Sequence, residues 1–182
     1  MNTESGPVRA ALLLAALSML AMGAAFASDS ARHEAQAMEN AKVSLTEAIH
    51  IAERQGNGQA ISAEYEFKNG NPAYYEVKVL RNDGQKLTQY ELDPGTGQVK
   101  EVKDEKFEKM FTRLKPTAIQ HAPTSLTRAI TTAETRSGGK AREAEINRDG
   151  DQLQYEVKVV KNDGSSETLK INGADGKVAS AR

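Results

Sequence analysis

Three histidines and a few strand-spaced glutamates are the side chains here whose types could support chemistry. His33, His50 and His121 could bind a metal or act as bases. No two of them have metal-ligand spacing, so a site built from them is not expected. His50 falls off the apolar stripe of a helical segment and reads as a surface residue. Serine hydrolysis would need a nucleophile beside a base, yet no serine stands in a Gly-x-Ser-x-Gly setting. Glu64, Glu66 and Glu76 could in principle supply an acid and a base, as paired carboxylates do in glycoside hydrolysis. Their alternation with apolar residues instead makes them the solvated face of a sheet.

Two oxygen- and glycine-rich stretches invite a calcium or phosphate reading: Asp93-Pro94-Gly95-Thr96-Gly97 and Asn172-Gly173-Ala174-Asp175-Gly176. Both lack the further carboxylates of a calcium loop, and no Gly-Lys-Ser/Thr follows either of them. Tight turns account for both. Cysteine is absent, which removes thiol catalysis, disulfides and zinc-thiolate sites. No catalytic, cofactor-binding or metal residue is therefore assigned, no cofactor is expected, and the chain reads as a non-enzyme; partner-binding residues stay unassigned.

The elements around these residues come from a repeat. Tyr75-Glu-Val-Lys-Val-Leu-Arg-Asn-Asp-Gly84 matches Tyr155-Glu-Val-Lys-Val-Val-Lys-Asn-Asp-Gly164 at eight of ten positions. Upstream, Leu45, Ala48, Ile49 and Ala52 correspond to Leu126, Ala129, Ile130 and Ala133, the i, i+3, i+4, i+7 spacing of an amphipathic helix. Ser44 and Glu47 can form a capping box with Val43 as staple, whereas the second copy keeps Ser125 but has Arg128, a weaker start. Gly56 and Gly138-Gly139 are expected to end the two helices.

Three strands follow in each copy. Ala63, Tyr65 and Phe67 alternate with Glu64 and Glu66, then Tyr75, Val77 and Val79 with Glu76 and Lys78, then Tyr90 and Leu92 share one side. Asn69-Gly70-Asn71-Pro72 and Asn82-Asp83-Gly84 read as the connecting turns. Ala144 and Ile146, Tyr155, Val157 and Val159, and Leu169 and Ile171 repeat the design. The expected fold class is α+β: two tandem modules, each one helix on an antiparallel three-stranded sheet (α-β-β-β) with its own core. Between them Asp104 to Lys115 carries Phe107, Met110, Phe111 and Leu114 at helical spacing, a linker helix stopped by Pro116. That stripe is expected to serve the core or the module interface, with a partner site as the alternative.

The N-terminus reads as a targeting segment. Arg9 precedes an apolar run from Ala10 to Ala25, and Ala25-Phe26-Ala27 has the small-x-small form of a cleavage site. Cleavage is expected after Ala27. The alternative is an uncleaved anchor, for which the run is short. The boundaries expected are a signal peptide at 1–27, a flexible arm at 28–42, a first module at 43–103, a linker helix and loop at 104–122, and a second module at 123–182. With 24 basic and 25 acidic residues, there is no electrostatic reason to expect nucleic acid or a lipid surface as partner.

In order of elements the chain resembles the PepSY domain, found in propeptides of thermolysin-like metallopeptidases and as free-standing or membrane-linked bacterial modules. The likeness rests on Leu45-Thr-Glu-Ala-Ile-His-Ile-Ala-Glu53, on Tyr75-Glu-Val-Lys-Val79 and on Asp93-Pro-Gly-Thr-Gly-Gln-Val99, which is similar to the family's Asp-x-x-Thr-Gly-x-Val ending. The second copy departs there, reading Asn172-Gly-Ala-Asp-Gly-Lys-Val178. The resemblance implies a role in restraining peptidases and carries over no catalytic residue. No protease domain follows in this sequence, so inhibition would act on a separate molecule.

The expected function is thus an exported, periplasmic or secreted, non-catalytic binding module. It would bind a protein or peptide, with peptidase regulation or inhibition in trans as one form, through a sheet edge or the polar sheet face. The alternative is a structural or accessory cell-envelope protein that binds a membrane complex or itself. Val43 to Val99 has five basic against eight acidic residues and Pro123 to Val178 nine of each, so the copies differ in surface charge.

Overall fold

A computed structural model describes residues 21–67, 71–81, 84, 86–105, 115–150 and 152–181. Helix α1 (Ala21–Glu39) precedes the first repeat, which runs α2 (Leu45–Gly56), β1 (Gly58–Glu66), β2 (Tyr74–Arg81), β3 (Leu87–Leu92) and β4 (Val99–Glu105). A short α3 (Pro116–Gln120) leads into the second: α4 (Leu126–Ser137), β5 (Lys140–Asp149), β6 (Gln152–Val160), β7 (Ser166–Asn172) and β8 (Val178–Ala181).

Both repeat helices form for the reasons their sequences give. Leu45, Ala48, Ile49 and Ala52 are buried on one face of α2, as Leu126, Ala129, Ile130 and Ala133 are on α4. The Ser44 hydroxyl accepts from the Glu47 amide while the Glu47 carboxylate accepts from the Ser44 amide, completing the capping box. In α4 only the Ser125 half of that arrangement exists. One helix end differs from expectation. Asn57, not Gly56, takes the left-handed conformation (φ 48°) that closes α2. Gly56 is the last helical residue, and it lacks a side chain because the Tyr90 hydroxyl sits 2.9 Å from where a Cβ would be. Gly138 (φ 72°) caps α4 as expected.

The strands correct the three-stranded module. Among the described residues each repeat has four, and all eight join in one antiparallel sheet in the order β4-β3-β2-β1-β5-β6-β7-β8. The fourth strands, β4 and β8, lie at the edges, where alternation of apolar with polar residues is not required, so periodicity did not mark them. The repeats meet where β1 pairs antiparallel with β5: Ser62 with Glu145, Ala63 with Ala144, Glu64 with Glu143. α2 and α4 lie side by side on one face, and α4 also touches β1. The buried residues of both repeats form a single cluster, so the expectation of two separate cores is corrected to one shared core. Fusing the sheets at a small-residue seam lets one apolar layer continue across it.

The segments before each repeat lock this arrangement. The arm expected to be flexible is helical through Glu39, with Ala35 and Met38 buried, because those two residues dock into the shared core. A Cβ on Gly164, in the β6–β7 turn of the second repeat, would lie 3.0 Å from the Arg32 amide nitrogen of α1. In the same relation, a Cβ on Gly84, in the β2–β3 turn of the first repeat, would lie 3.0 Å from Pro116 of α3. Each leading helix therefore presses on the opposite repeat. The linker helix also needs correction at its ends: Asp104 and Glu105 belong to β4, and Pro116 starts α3, where its missing N–H costs nothing. Phe107, Met110, Phe111 and Leu114 lie outside the described residues, as do residues 1–20, Asn69-Gly70 and Asn82-Asp83.

Candidate functional site

The face of the sheet away from α2 and α4 carries the glutamates and cations that alternate with the core residues of the strands. Register alone builds a row across it. Glu101 pairs with Glu91, Glu91 with Glu76, Glu76 with Glu64, and Glu64 with Glu143, so carboxylates stand side by side from β4 to β5. Like charges directly opposite one another destabilise a sheet. Cations from neighbouring positions offset this: Lys103 lies 3.4 Å from Glu91 and 3.0 Å from Glu101, Lys78 lies 3.4 Å from Glu76, and Arg142 lies 3.3 Å from Glu64 and 3.7 Å from Glu143.

The compensation is least complete at the seam. Burial, then the charges of Glu143 and Glu66, push the Glu64 carboxyl above its ordinary value. Burial, then Glu143 and Glu156, push Glu145 up as well. Arg142 also pairs with Glu34 of α1, so the arm is tied into this charged face.

Arg142 is the extra residue of a β-bulge between Ala141 and Glu143, and the equivalent bulge in β1, between Ala60 and Ser62, contains the buried Ile61. Both bulges are held from the helix above. The Ala60 amide donates to Glu53 (3.0 Å) and the Ala141 amide to Glu134 (2.9 Å). The sequence signal for this bond is a glutamate seven residues before the bonded amide in both repeats, a spacing that apolar periodicity does not reveal.

The other residues weighed for chemistry stay apart. His33 is on α1 and His50 on α2, while His121 caps α3 with its Nδ1 2.8 Å from the Thr117 carbonyl oxygen. Among the described residues no group of histidine, aspartate and glutamate side chains gathers to hold a metal ion. The Asp93 carboxylate is consumed within its turn, accepting from the Gly95 and Thr96 amides at 2.8 and 3.0 Å and pairing with Lys100 at 2.7 Å. Lys100 and the Gly95 amide hold its carboxyl below the usual value. Asn172 likewise accepts from the Ala174 amide (2.7 Å). Glu66 and Glu76 lie on the polar face with Glu64, as alternation requires.

This face is a row of carboxylates with interspersed cations, flanked by two outer strands that pair on one side only among the described residues. No described helix is long and apolar enough to cross a membrane.

Comparison with known proteins gives one family. The model described as "Peptidase propeptide and YPEB domain" matches residues 42–103 and again residues 124–182. Among solved structures, a candidate lipoprotein of Clostridium difficile 630 is similar at 21% identity, over 78% of this chain and 93% of that one, with a TM-score of 0.46. The YpmB protein of Bacillus subtilis is similar at 17% identity, over 74% of this chain and 94% of that one, with a TM-score of 0.32. No curated protein matches.

Proposed function

Because the chain belongs to the PepSY family, with one domain in each repeat, we propose that it is an exported binding protein that restrains a separate peptidase by holding an extended segment of it. The family's description as a peptidase propeptide domain supports the choice of partner. Export is proposed from the N-terminal segment, with Arg9, the apolar run to Ala25 and cleavage after Ala27.

The observation that carries the binding role is the continuous sheet with two outer strands and a charged, open face. Outer strands recognise extended peptides through backbone hydrogen bonds, which needs no catalytic side chain. The fused sheet makes such a platform rigid, since neither repeat can turn without breaking the β1–β5 pairing.

The test is inhibition. Purified protein titrated against exported metallopeptidases of its host should slow at least one of them and form a complex with it that survives gel filtration. Full activity of every such peptidase at saturating protein, with no complex, would exclude the peptidase reading.

A further inference from the structure

Strand β4 ends the sheet at residues whose charges are antisymmetric about Val102. Read outward from that residue, Glu101 and Lys103 have opposite charges, and so do Lys100 and Asp104. Val102 is half exposed (50%) and is the one large hydrophobic side chain left so among the described residues. An antiparallel strand with the same sequence, related by a two-fold axis through Val102, would set valine against valine. It would also set each Glu101 opposite the other copy's Lys103. We propose that β4 pairs with β4 of a second copy, joining two sheets edge to edge in a symmetric dimer.

Three observations favour a second copy over a foreign peptide as occupant. First, the complementarity is with itself, Glu101 against Lys103 on both sides of the axis, while the opposite edge, β8, offers only Val178-Ala-Ser-Ala181, with no charge to fix a register. Second, Glu101 terminates the row of carboxylates that runs through Glu91, Glu76 and Glu64. A partner's Lys103 would add a cation at the open end of that row, where like-charged neighbours otherwise face only one another and the flanking lysines. Third, the pair that Lys103 now makes with Glu101 of its own strand (3.0 Å) is exposed and exchanges at small cost. Lys100 is the extra residue in a register shift between β3 and β4 and pairs with Asp93, so regular pairing about the axis is confined to Glu101, Val102 and Lys103.

So short a pairing buries far less than the roughly 1,000 Å² typical of a stable interface, and the dimer is weak, reversible and sensitive to salt. The inference does not rest on the peptidase reading: a monomer that inhibits would end the dimer alone, and a dimer that inhibits nothing would end only the peptidase role.

Sedimentation velocity on the purified chain at rising concentration tests it. The native protein should dimerise reversibly, and added salt should weaken the association. Lys103→Glu or Glu101→Lys alone should weaken it roughly tenfold or more, since each reverses two symmetry-related pairs. Combining the two restores the opposite-charge pattern and should restore the dimer. Circular dichroism checks that each variant is folded. Val102→Cys, in a chain with no other cysteine, should form a disulfide-linked dimer on mild oxidation. A native protein that stays monomeric throughout would overturn the proposal, as would a dimer indifferent to the single charge reversals or one whose Val102→Cys variant does not crosslink. Protection of β4 amides that arises only when an unrelated extended peptide is added would instead assign the edge to a foreign partner.

Discussion

The hydroxyl of Tyr75, on the second strand, donates a 2.6 Å hydrogen bond to the carbonyl oxygen of Val43, just ahead of α2. Tyr155 makes the same bond to Thr124 ahead of α4. Each tyrosine thus fixes where its helix begins relative to the sheet beneath it. Tyr155→Phe should destabilise the protein by about 1–2 kcal/mol, because a buried carbonyl loses its donor while the packing stays, and Tyr75→Phe by about 1 kcal/mol, since its bond is only partly buried. Denaturant titration reads the change directly, and an unaltered midpoint in both variants would show that the bonds do not fix the helices.

The same phenols predict a loss of stability in alkali. Burial raises the Tyr155 hydroxyl from 10.0 to about 12 and raises Tyr75 as well. A folded state that holds these protons more tightly than the unfolded chain is favoured fully below pH 10, and it loses that advantage as pH rises from about 10 through 12. Melting temperature should fall across this window, and the fall should be shallower in Tyr155→Phe. Equal slopes in both proteins would refute the assignment.

Glu64 and Glu145 should be better as neutral groups. Both carboxyls are raised, chiefly by burial, so the folded state gains relative stability as pH falls toward the carboxylate range and gives it up as pH rises above it. Glu64→Gln should therefore stabilise the protein at neutral pH by about 0.5 kcal/mol, and Glu145→Gln, at a more exposed position, by less, with both gains shrinking as pH approaches 4. Thermal melts at the two pH values separate this from an ordinary surface change, which would show no such dependence.

How far the sequence could be read follows from what each feature rests on. The helix faces, the capping box and the inner strands were legible because burial imposes a period that Leu45, Ala48, Ile49 and Ala52, or Tyr75, Val77 and Val79, must obey. β4 was not, because Val99-Lys-Glu-Val-Lys-Asp-Glu105 has one neighbour and little to bury. The seam was equally silent: Ala63 and Ala144 fit an outer strand as well as a joined one, so the sharing of one sheet by two modules emerges only in the fold. The glutamate row needed the register of β4, β3, β2, β1 and β5 at once, which no single strand contains. The arm's helix is silent in the sequence because only Ala35 and Met38 of its described residues are buried hydrophobics, too few to form a stripe.

The missing half of the second capping box can be supplied. In α4 the Ser125 hydroxyl accepts from the Arg128 amide, and the arginine places positive charge near the positive end of the helix. Arg128→Glu should complete the reciprocal bond, as Glu47 does in α2, and stabilise the protein by about 0.5–1 kcal/mol. Ser44→Ala should cost about 1 kcal/mol and Ser125→Ala less, since less is lost there. A lower melting point for Arg128→Glu would mean that the arginine has a structural duty outweighing the cap.

The tie between α1 and the second repeat should be separable from the fold itself. Glu34 reaches the guanidinium of Arg142, a residue whose counterpart in the first repeat is the buried Ile61. Ile61 holds its place by burial alone, whereas Arg142 must be neutralised, and it is the cation nearest Glu34, Glu64 and Glu143 together. Glu34→Gln removes one partner and leaves the other two. It should loosen α1 by about 1 kcal/mol, seen as roughly fivefold faster amide exchange over residues 31–39 with the sheet amides unchanged. Arg142→Leu imitates Ile61 but strands three carboxylates, so it should cost the whole protein more than Glu34→Gln does, and Glu64→Gln in the same chain should recover part of that cost. If Glu34→Gln accelerated exchange in β5 and β6 as much as in α1, the arm would be part of the cooperative unit rather than a clasp laid across it.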